Sequence, residues 1–190
     1  STLALLAALA ASASAQTPAP PISDEETLRH FQAIVRMNST DPPGNEKPVV
    51  DYLKGVLEAE GIQVEIFSVE PNRQNLVARL KGNGKKRPLL LMAHTDTVNV
   101  DLKKWSHPPF SALRQDGYIY GRGTVDDKDN VAATVMALLM LKRQNVPLDR
   151  DVIALFEAGE EGAVKFGIAH MVEDARFPKI EAEYCLAEGG

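Results

Sequence analysis

The stretch Leu89-Leu90-Leu91-Met92-Ala93-His94-Thr95-Asp96 decides the fold, because it joins an apolar run to an imidazole and a carboxylate two residues apart. Five apolar residues after Pro88 indicate a buried strand. In an open α/β sheet, binding sites form at the carboxyl ends of strands, and His94 and Asp96 lie at such an end. Residues i and i+2 point to the same side of a strand, so Asp96 can accept the second ring N–H of His94 and orient the ring toward a metal. A turn with an ordinary hydrogen-bonded histidine is the alternative.

The composition is that of one globular domain: 190 residues, of which 44% are hydrophobic and 25% charged. A net charge of −5 argues against nucleic acid or an anionic membrane as the partner and favours small molecules or peptides. The single cysteine, Cys185, cannot form an intramolecular disulfide. It lies in an apolar stretch, so we predict a buried strand residue there.

The first residues have the pattern of a secretory signal. Residues 3–15 are apolar and small, and Ala13-Ser14-Ala15 precedes Gln16 as an AxA-type cleavage site. We therefore expect a signal peptide over 1–15, a proline-containing linker over 16–22, and a periplasmic or secreted protein. The apolar run is too short for a stable membrane anchor. A buried N-terminal helix is the alternative, which the linker prolines disfavour.

Strands alternate with amphipathic helices along the rest of the chain. Ser23 and Glu26 fit a capping box that begins a helix ending near Met37. The other elements predicted are helices at about 46–60, 128–143 and 163–174, and strands at about 62–66, 75–81, 89–93, 152–156 and 184–187. This alternation predicts an α/β fold, a three-layer sandwich around a mixed, mainly parallel sheet. No helix follows the last strand, so we expect residues 23–190 to be the front part of a longer catalytic domain.

Three further acidic clusters follow predicted strands or loops at the same edge of the sheet: Asp126/Asp127, Glu160/Glu161 and Glu188. The glycines at 121 and 123 let the backbone approach a site closely just before Asp126. A helix N-cap is the alternative role for Asp126, and one of the two aspartates can cap while the other binds a metal.

The pair Glu160/Glu161 lies in a loop flanked by glycines. One carboxylate can bind a metal while the other reaches the water on it, and their repulsion calls for a cation if both are buried. A solvated acidic loop is the alternative. The other histidines, at positions 30, 107 and 170, lack such a setting and are predicted to lie at the surface.

Taken together, these motifs resemble the co-catalytic zinc exopeptidases and deacylases. That family includes glutamate carboxypeptidase, carboxypeptidase S, aminoacylase, carnosine dipeptidase, acetylornithine deacetylase and succinyl-diaminopimelate desuccinylase. The matching stretches are HTDTV at 94–98, the segment 105–110 ending in PPF, GYIYGRGTVDDK at 117–128, GEEG at 159–162 and EGG at 188–190. The residues of PPF and YGRGTVDDK are most similar to those of the carboxypeptidase S and N-fatty-acyl-amino-acid hydrolase branch.

The resemblance implies a site for two metal ions. His94 and Glu188 would bind the first metal, Glu161 the second, and Asp126 would bridge both, with a cis peptide bond after Asp126. Nitrogen and carboxylate ligands without a thiolate suit Zn²⁺, with Co²⁺ or Mn²⁺ as alternatives. The last ligand of the family, a histidine far toward the C-terminus, has no counterpart in this sequence. Position 129 is aspartate where the family commonly has glycine.

The resemblance also implies an activity. Glu160 would be the general base and Asp96 the residue that orients His94, in a hydrolase that cleaves an amide bond of a small peptide or N-acyl amino acid through a water activated by two zinc ions. A homodimer is one expectation for the full-length protein. The alternative is a non-catalytic metal- or ligand-binding relative, against which the intact Glu160 argues. Without the last histidine and the lid domain, we expect the 190-residue chain itself to be inactive and to bind its second metal weakly.

Overall fold

The computed structural model describes residues 21–188. The predicted signal peptide and nearly all of the linker lie outside this range, so export and the domain boundaries before residue 21 stay predictions. None of the helices in residues 21–188 combines the length and apolar composition that crossing a bilayer requires.

A five-stranded mixed sheet forms the centre, in the order β1-β2-β6-β3-β7. The strands are β1 (Gln63–Glu70), β2 (Arg73–Leu80), β3 (Leu89–His94), β6 (Val152–Glu157) and β7 (Tyr184–Leu186), and a small hairpin pairs β4 (Leu113–Gln115) with β5 (Tyr118–Tyr120). β3 runs parallel to β6 and β7, whereas β2 runs antiparallel to β1 and β6. The mixed α/β sheet is thus as predicted, with a smaller parallel share than expected, since two of the four pairings are antiparallel.

Helices cover both faces of this sheet. α1 (Asp24–Val35), α2 (Lys47–Ala59) and α3 (Lys128–Arg143) lie on one face, and the short α4 (Ile168–Glu173) lies on the other. Alternate residues of each strand enter the two cores: Ala154 and Phe156 of β6 face the three long helices, while Ile153 and Leu155 face α4. These three layers give the predicted sandwich.

The predicted capping box of α1 forms only in part. The Ser23 side chain accepts the Glu26 N–H at 3.1 Å, as an N-cap should. The Glu26 carboxylate does not return to Ser23. It pairs with both terminal nitrogens of Arg143 in α3, each at 2.9 Å, because a guanidinium fork satisfies two carboxylate oxygens at once.

Four other predictions need correction or completion. His30 is buried, not at the surface, because that side of α1 faces α2 and the ring lies 2.8 Å from the Tyr52 hydroxyl. Cys185 is exposed, because β7 forms the edge of the sheet. The helix predicted at 163–174 is divided by Gly167 into a 3₁₀ turn and α4. The β4–β5 hairpin was not anticipated, since strands of three residues carry almost no periodicity.

Candidate metal centre

The three acidic clusters predicted from the sequence lie beside His94 at the carboxyl edge of the sheet. His94 ends β3, and the loop that follows the neighbouring β6 carries Glu160 and Glu161. Glu188 comes two residues after β7, on the other side of β3. Asp126 precedes α3 and completes the group. Parallel neighbours therefore place residues from distant parts of the sequence beside one ring.

The distances around the ring are short. From His94 Nε2 it is 2.9 Å to Asp126 Oδ1, 3.6 Å to Glu188 Oε1 and 3.8 Å to Glu160 Oε2. Ligand atoms of His94, Asp126 and Glu161 lie within 4.8 Å of one another, and the same holds for His94, Asp127 and Glu188. The imidazole is 2% exposed whereas Asp126 is 59% exposed, so the ring forms the floor of an open acidic site.

Asp96 lies behind His94 and is fully buried. His94 Nδ1 is 3.4 Å from Asp96 Oδ1 and 3.1 Å from its main-chain oxygen, so the predicted orienting contact is shared between the carboxylate and the backbone. The two carboxylate oxygens also accept the N–H groups of Glu160 and Glu161, at 3.1 and 3.0 Å. Asp96 thus connects the ring to the loop with the two glutamates, a contact that the sequence did not predict.

Asp126 and Asp127 have different roles. The bond between them is cis, as the family resemblance implied, and Asp127 occupies the N-cap position of α3. The buried Asp127 carboxylate accepts the His94 backbone N–H at 3.0 Å, while the exposed Asp126 carboxylate faces the ring. The geometry therefore favours Asp127 as a support for the His94 backbone and Asp126 as the group available to a metal.

The charges of the site shift its pKa values. Burial alone would lower the pKa of His94, but the hydrogen bond and charge of Asp96, with the charges of Asp127 and Glu188, raise it to about 10. Burial and the nearby Asp126 raise the pKa of Glu161. Burial also raises the pKa of Glu188. Because several carboxylates surround a single ring, a bound cation would offset their repulsion.

A second group of buried charges lies beneath the loop with the two glutamates. Arg73, at the start of β2, donates to Asp41 Oδ2 at 2.6 Å and to Glu46 Oε2 at 2.9 Å. Carboxylate oxygens of Asp41, Glu46 and Asp96 lie within 4.8 Å of one another, which is a spacing that would suit a metal. The guanidinium already pairs with two of these three groups, so this cluster is an ion-pair network.

Residues 90–190, more than half of the chain, match the family model described as peptidase family M20/M25/M40. The chain belongs to this family. A probable succinyl-diaminopimelate desuccinylase of Staphylococcus aureus is 36% identical over 141 residues, covering 73% of this chain and 34% of the relative. An N-formyl-4-amino-5-aminomethyl-2-methylpyrimidine deformylase of Halalkalibacterium halodurans is also 36% identical, covering 72% of this chain and 33% of the relative.

Among solved structures, an M20 family metallo-carboxypeptidase of Sulfolobus solfataricus is similar, with a TM-score of 0.76 and 26% identity over 87% of this chain and 37% of that chain. The chain therefore has the α/β fold found in the M20 family. It spans about a third of the length of the curated relatives named here.

Several residues of the site were missed by sequence reasoning. Asp127 was predicted only as one of a pair in which either member could cap the helix. Arg73 was not predicted, nor was Asn75 of β2, whose side chain accepts the Ala158 N–H at 2.9 Å. Most of the predicted site residues follow strands, whereas Arg73 and Asn75 lie at the beginning of one. The signal that could have found them is the pair of polar side chains at positions 73 and 75, which share one face of the strand just before the apolar run 76–78.

Proposed function

We propose that the protein carrying this chain is a metal-dependent hydrolase that cleaves an amide bond in a small peptide or an N-acyl amino acid. The observation that carries this proposal is the convergence of Asp126, Glu160, Glu161 and Glu188 on His94 at the carboxyl edge of the sheet. The names of the M20 relatives, a desuccinylase, a deformylase and a carboxypeptidase, support amide cleavage.

The donor set of the site fits two zinc ions. It offers one imidazole nitrogen and several carboxylate oxygens with no thiolate, which suits Zn²⁺ and also Co²⁺ or Mn²⁺. In this proposal His94 and Glu188 would hold the first ion and Glu161 the second, and Asp126 would be a ligand of both. When bound, such ions polarise a carbonyl and lower the pKa of a water.

Other residues of the site would position His94 and transfer the proton. Asp96 keeps the His94 ring in place from behind, and the Asp127 carboxylate fixes the His94 backbone. Glu160 is 43% exposed at the open side of the site, where it can take a proton from the attacking water and return it to the leaving amine. A non-catalytic binding protein would not require a carboxylate in that position.

The first test replaces the proposed base. Glu160→Gln in the full-length, zinc-loaded protein should keep its metal content and lose about 10² to 10⁴ in turnover, the usual contribution of a general base. Turnover is measured on N-succinyl, N-formyl and N-acetyl amino acids and on dipeptides, with metal content by atomic emission. Glu181→Gln, at an exposed position away from the site, is the matched control.

The outcomes separate the alternatives. Near-normal turnover in Glu160→Gln would remove Glu160 from the mechanism. A wild-type protein that holds zinc but hydrolyses none of these amides would favour the binding protein over the enzyme.

A further inference from the structure

The loop after β6, residues 158–167, is held mainly by side chains from other parts of the chain; we call it the acidic loop. Its Ala158 N–H donates to the Asn75 side chain at 2.9 Å, and the N–H groups of Glu160 and Glu161 donate to Asp96. The Ala163 N–H donates to Asp41 Oδ2 at 3.1 Å. Because buried backbone groups require partners, these side chains determine where the loop lies.

Asp41 holds the part of the acidic loop that follows Glu160 and Glu161. It is 6% exposed, and the same Oδ2 atom that accepts the Ala163 N–H also accepts Arg73 Nη2 at 2.6 Å. Arg73 is itself fixed by Glu46, by the Pro43 carbonyl at 3.0 Å and by the Phe166 ring, whose centroid lies 4.4 Å from the guanidinium carbon. A carboxylate held by a buried guanidinium on one side is a rigid acceptor on the other.

Two glycines of the acidic loop lie directly on this ion pair. A Cβ atom at Gly162 would be 3.0 Å from Asp41 Cγ, and one at Gly159 would be 3.0 Å from Arg73 Nη2 and 2.5 Å from the Ala163 carbonyl oxygen. These contacts are tighter than side chains normally make. Gly159 also has a φ of +73°, which favours glycine. The close approach explains why glycines flank Glu160 and Glu161.

We propose that Asp41 is a positioning residue, which together with Arg73 sets the acidic loop so that Glu160 and Glu161 face His94. The inference rests on the proposed function for the roles of those two glutamates. Asp41 is not one of the residues whose ligand atoms surround His94: it contacts the acidic loop through the Ala163 N–H, and its carboxylate lies within 4.8 Å of that of Asp96 behind the ring. Its effect is therefore on where the carboxylates stand, and groups that support metal ligands in this indirect way commonly change metal affinity by 10- to 100-fold.

The test is Asp41→Asn, which keeps the shape of the side chain and removes its charge. The weaker acceptor should release the Ala163 N–H, so hydrogen exchange at that amide in the metal-free chain should become about tenfold faster or more. Co²⁺ affinity, measured from the cobalt absorption bands, should fall about 10- to 100-fold, with a changed band shape as the ligand geometry loosens.

Asp151→Asn is a matched control at the opposite edge of the sheet. Asp151 accepts Arg79 Nη1 at 2.6 Å and the Gly82 N–H at 2.9 Å, as Asp41 accepts Arg73 and the Ala163 N–H, and it also accepts Lys81 Nζ at 3.0 Å. Asp151 comes just before β6, whereas the acidic loop comes just after β6, at the other end of the strand. This variant should lose stability while Co²⁺ affinity, band shape and the exchange of Ala163 stay as in the wild type.

A second variant disturbs the contact between Asp41 and the acidic loop without removing a charge. Gly162→Ala places a methyl group against the Asp41 carboxylate and should weaken Co²⁺ binding in the same direction. Gly55→Ala, in the middle of α2 with no neighbouring atom within 4 Å of the added methyl, is its control. This pair keeps the proposal testable if Asp41→Asn does not fold.

The results can overturn the proposal in one clear way. If Asp41→Asn and Gly162→Ala change Co²⁺ affinity and Ala163 exchange no more than their controls do, Asp41 supports the fold alone. A wild-type full-length protein that binds no Co²⁺ would instead contradict the proposed function, and the exchange of Ala163 would still decide whether Asp41 holds the acidic loop.

Discussion

Asp151 pairs with charged and backbone donors at the amino edge of the sheet, far from the candidate metal centre. Burial by itself would raise the pKa of Asp151, but the Gly82 N–H, Arg79 and Lys81 together lower it to about 2. A carboxyl whose pKa is lower in the folded than in the unfolded protein stabilises the fold above the unfolded value, about 3.9. That contribution decreases as the pH falls toward the folded value.

From this shift we predict a pH-dependent difference between wild type and Asp151→Asn. The difference in free energy of unfolding should be constant above about pH 5 and should decrease by about 1 kcal/mol by pH 3, because the wild type loses the contribution that the amide never had. Urea unfolding at pH 6, 4 and 3 measures it. A difference that grows on acidification would show that the carboxylate does not stabilise the fold.

Single residues differ in how far the sequence could predict them. His94 and Asp126 could be placed because they follow or precede elements with strong apolar patterns. Arg73 could not, because β2 runs antiparallel to β6, which brings its first residues to the site edge. Whether a strand is parallel or antiparallel depends on its partners in the sheet, so it cannot be predicted from the local sequence pattern. The burial of His30 likewise depends on the packing of α1 against another helix.

At the scale of elements, an ion-pair network connects the three long helices. Arg143 near the end of α3 pairs with Glu26 of α1 and with Glu60 at the end of α2, the latter at 2.6 Å. The hydrogen bonds to Arg143 lower the pKa of Glu26 despite its partial burial. The arginine is 13% exposed, so the network is better shielded from solvent and salt than an ordinary surface pair.

We predict that Arg143→Gln lowers the free energy of unfolding by about 2 kcal/mol, because it leaves two carboxylates beside each other without their common cation. Arg114→Gln removes an exposed pair between the β4–β5 hairpin and Glu25 of α1, and should cost less than about 0.5 kcal/mol. Chemical denaturation of both variants compares them. Equal losses would mean that the helix network is no stronger than a surface contact.

The elements themselves were predictable where their patterns were long. The long helices and the apolar strands β3 and β6 follow from periodicity and from runs of five or more apolar residues. The β4–β5 hairpin and the break at Gly167 were not predictable, since a few residues carry too little periodicity to compete with tertiary contacts. The half-formed capping box has the same cause, because Arg143 competes for the Glu26 side chain from a distance of 117 residues.

On the scale of the whole molecule, negative charge is concentrated at one edge of the sheet. We predict that Zn²⁺ or Co²⁺ stabilises the chain against unfolding, by about 2.7 kcal/mol at a free concentration 100 times the dissociation constant, because the ion binds the folded cluster and not the dispersed unfolded one. Thermal unfolding with each metal, and with a chelator, measures the effect.

His94→Asn should abolish most of this stabilisation, since His94 belongs to both groups of ligand atoms around the ring. His107→Asn is the control, because that ring packs on Tyr120 with its centroid 5.0 Å away. Equal metal stabilisation in the two variants would place the bound ion elsewhere.

The order of the strands also bears on biosynthesis. β3 lies between β6 and β7, and both are synthesised after it. The apolar run 89–93 therefore leaves the ribosome roughly 60 residues before its first neighbour in the sheet, a delay of about 3 to 12 s at 5–20 residues per second. During that interval the nascent chain carries an unpaired apolar strand, which is prone to aggregation.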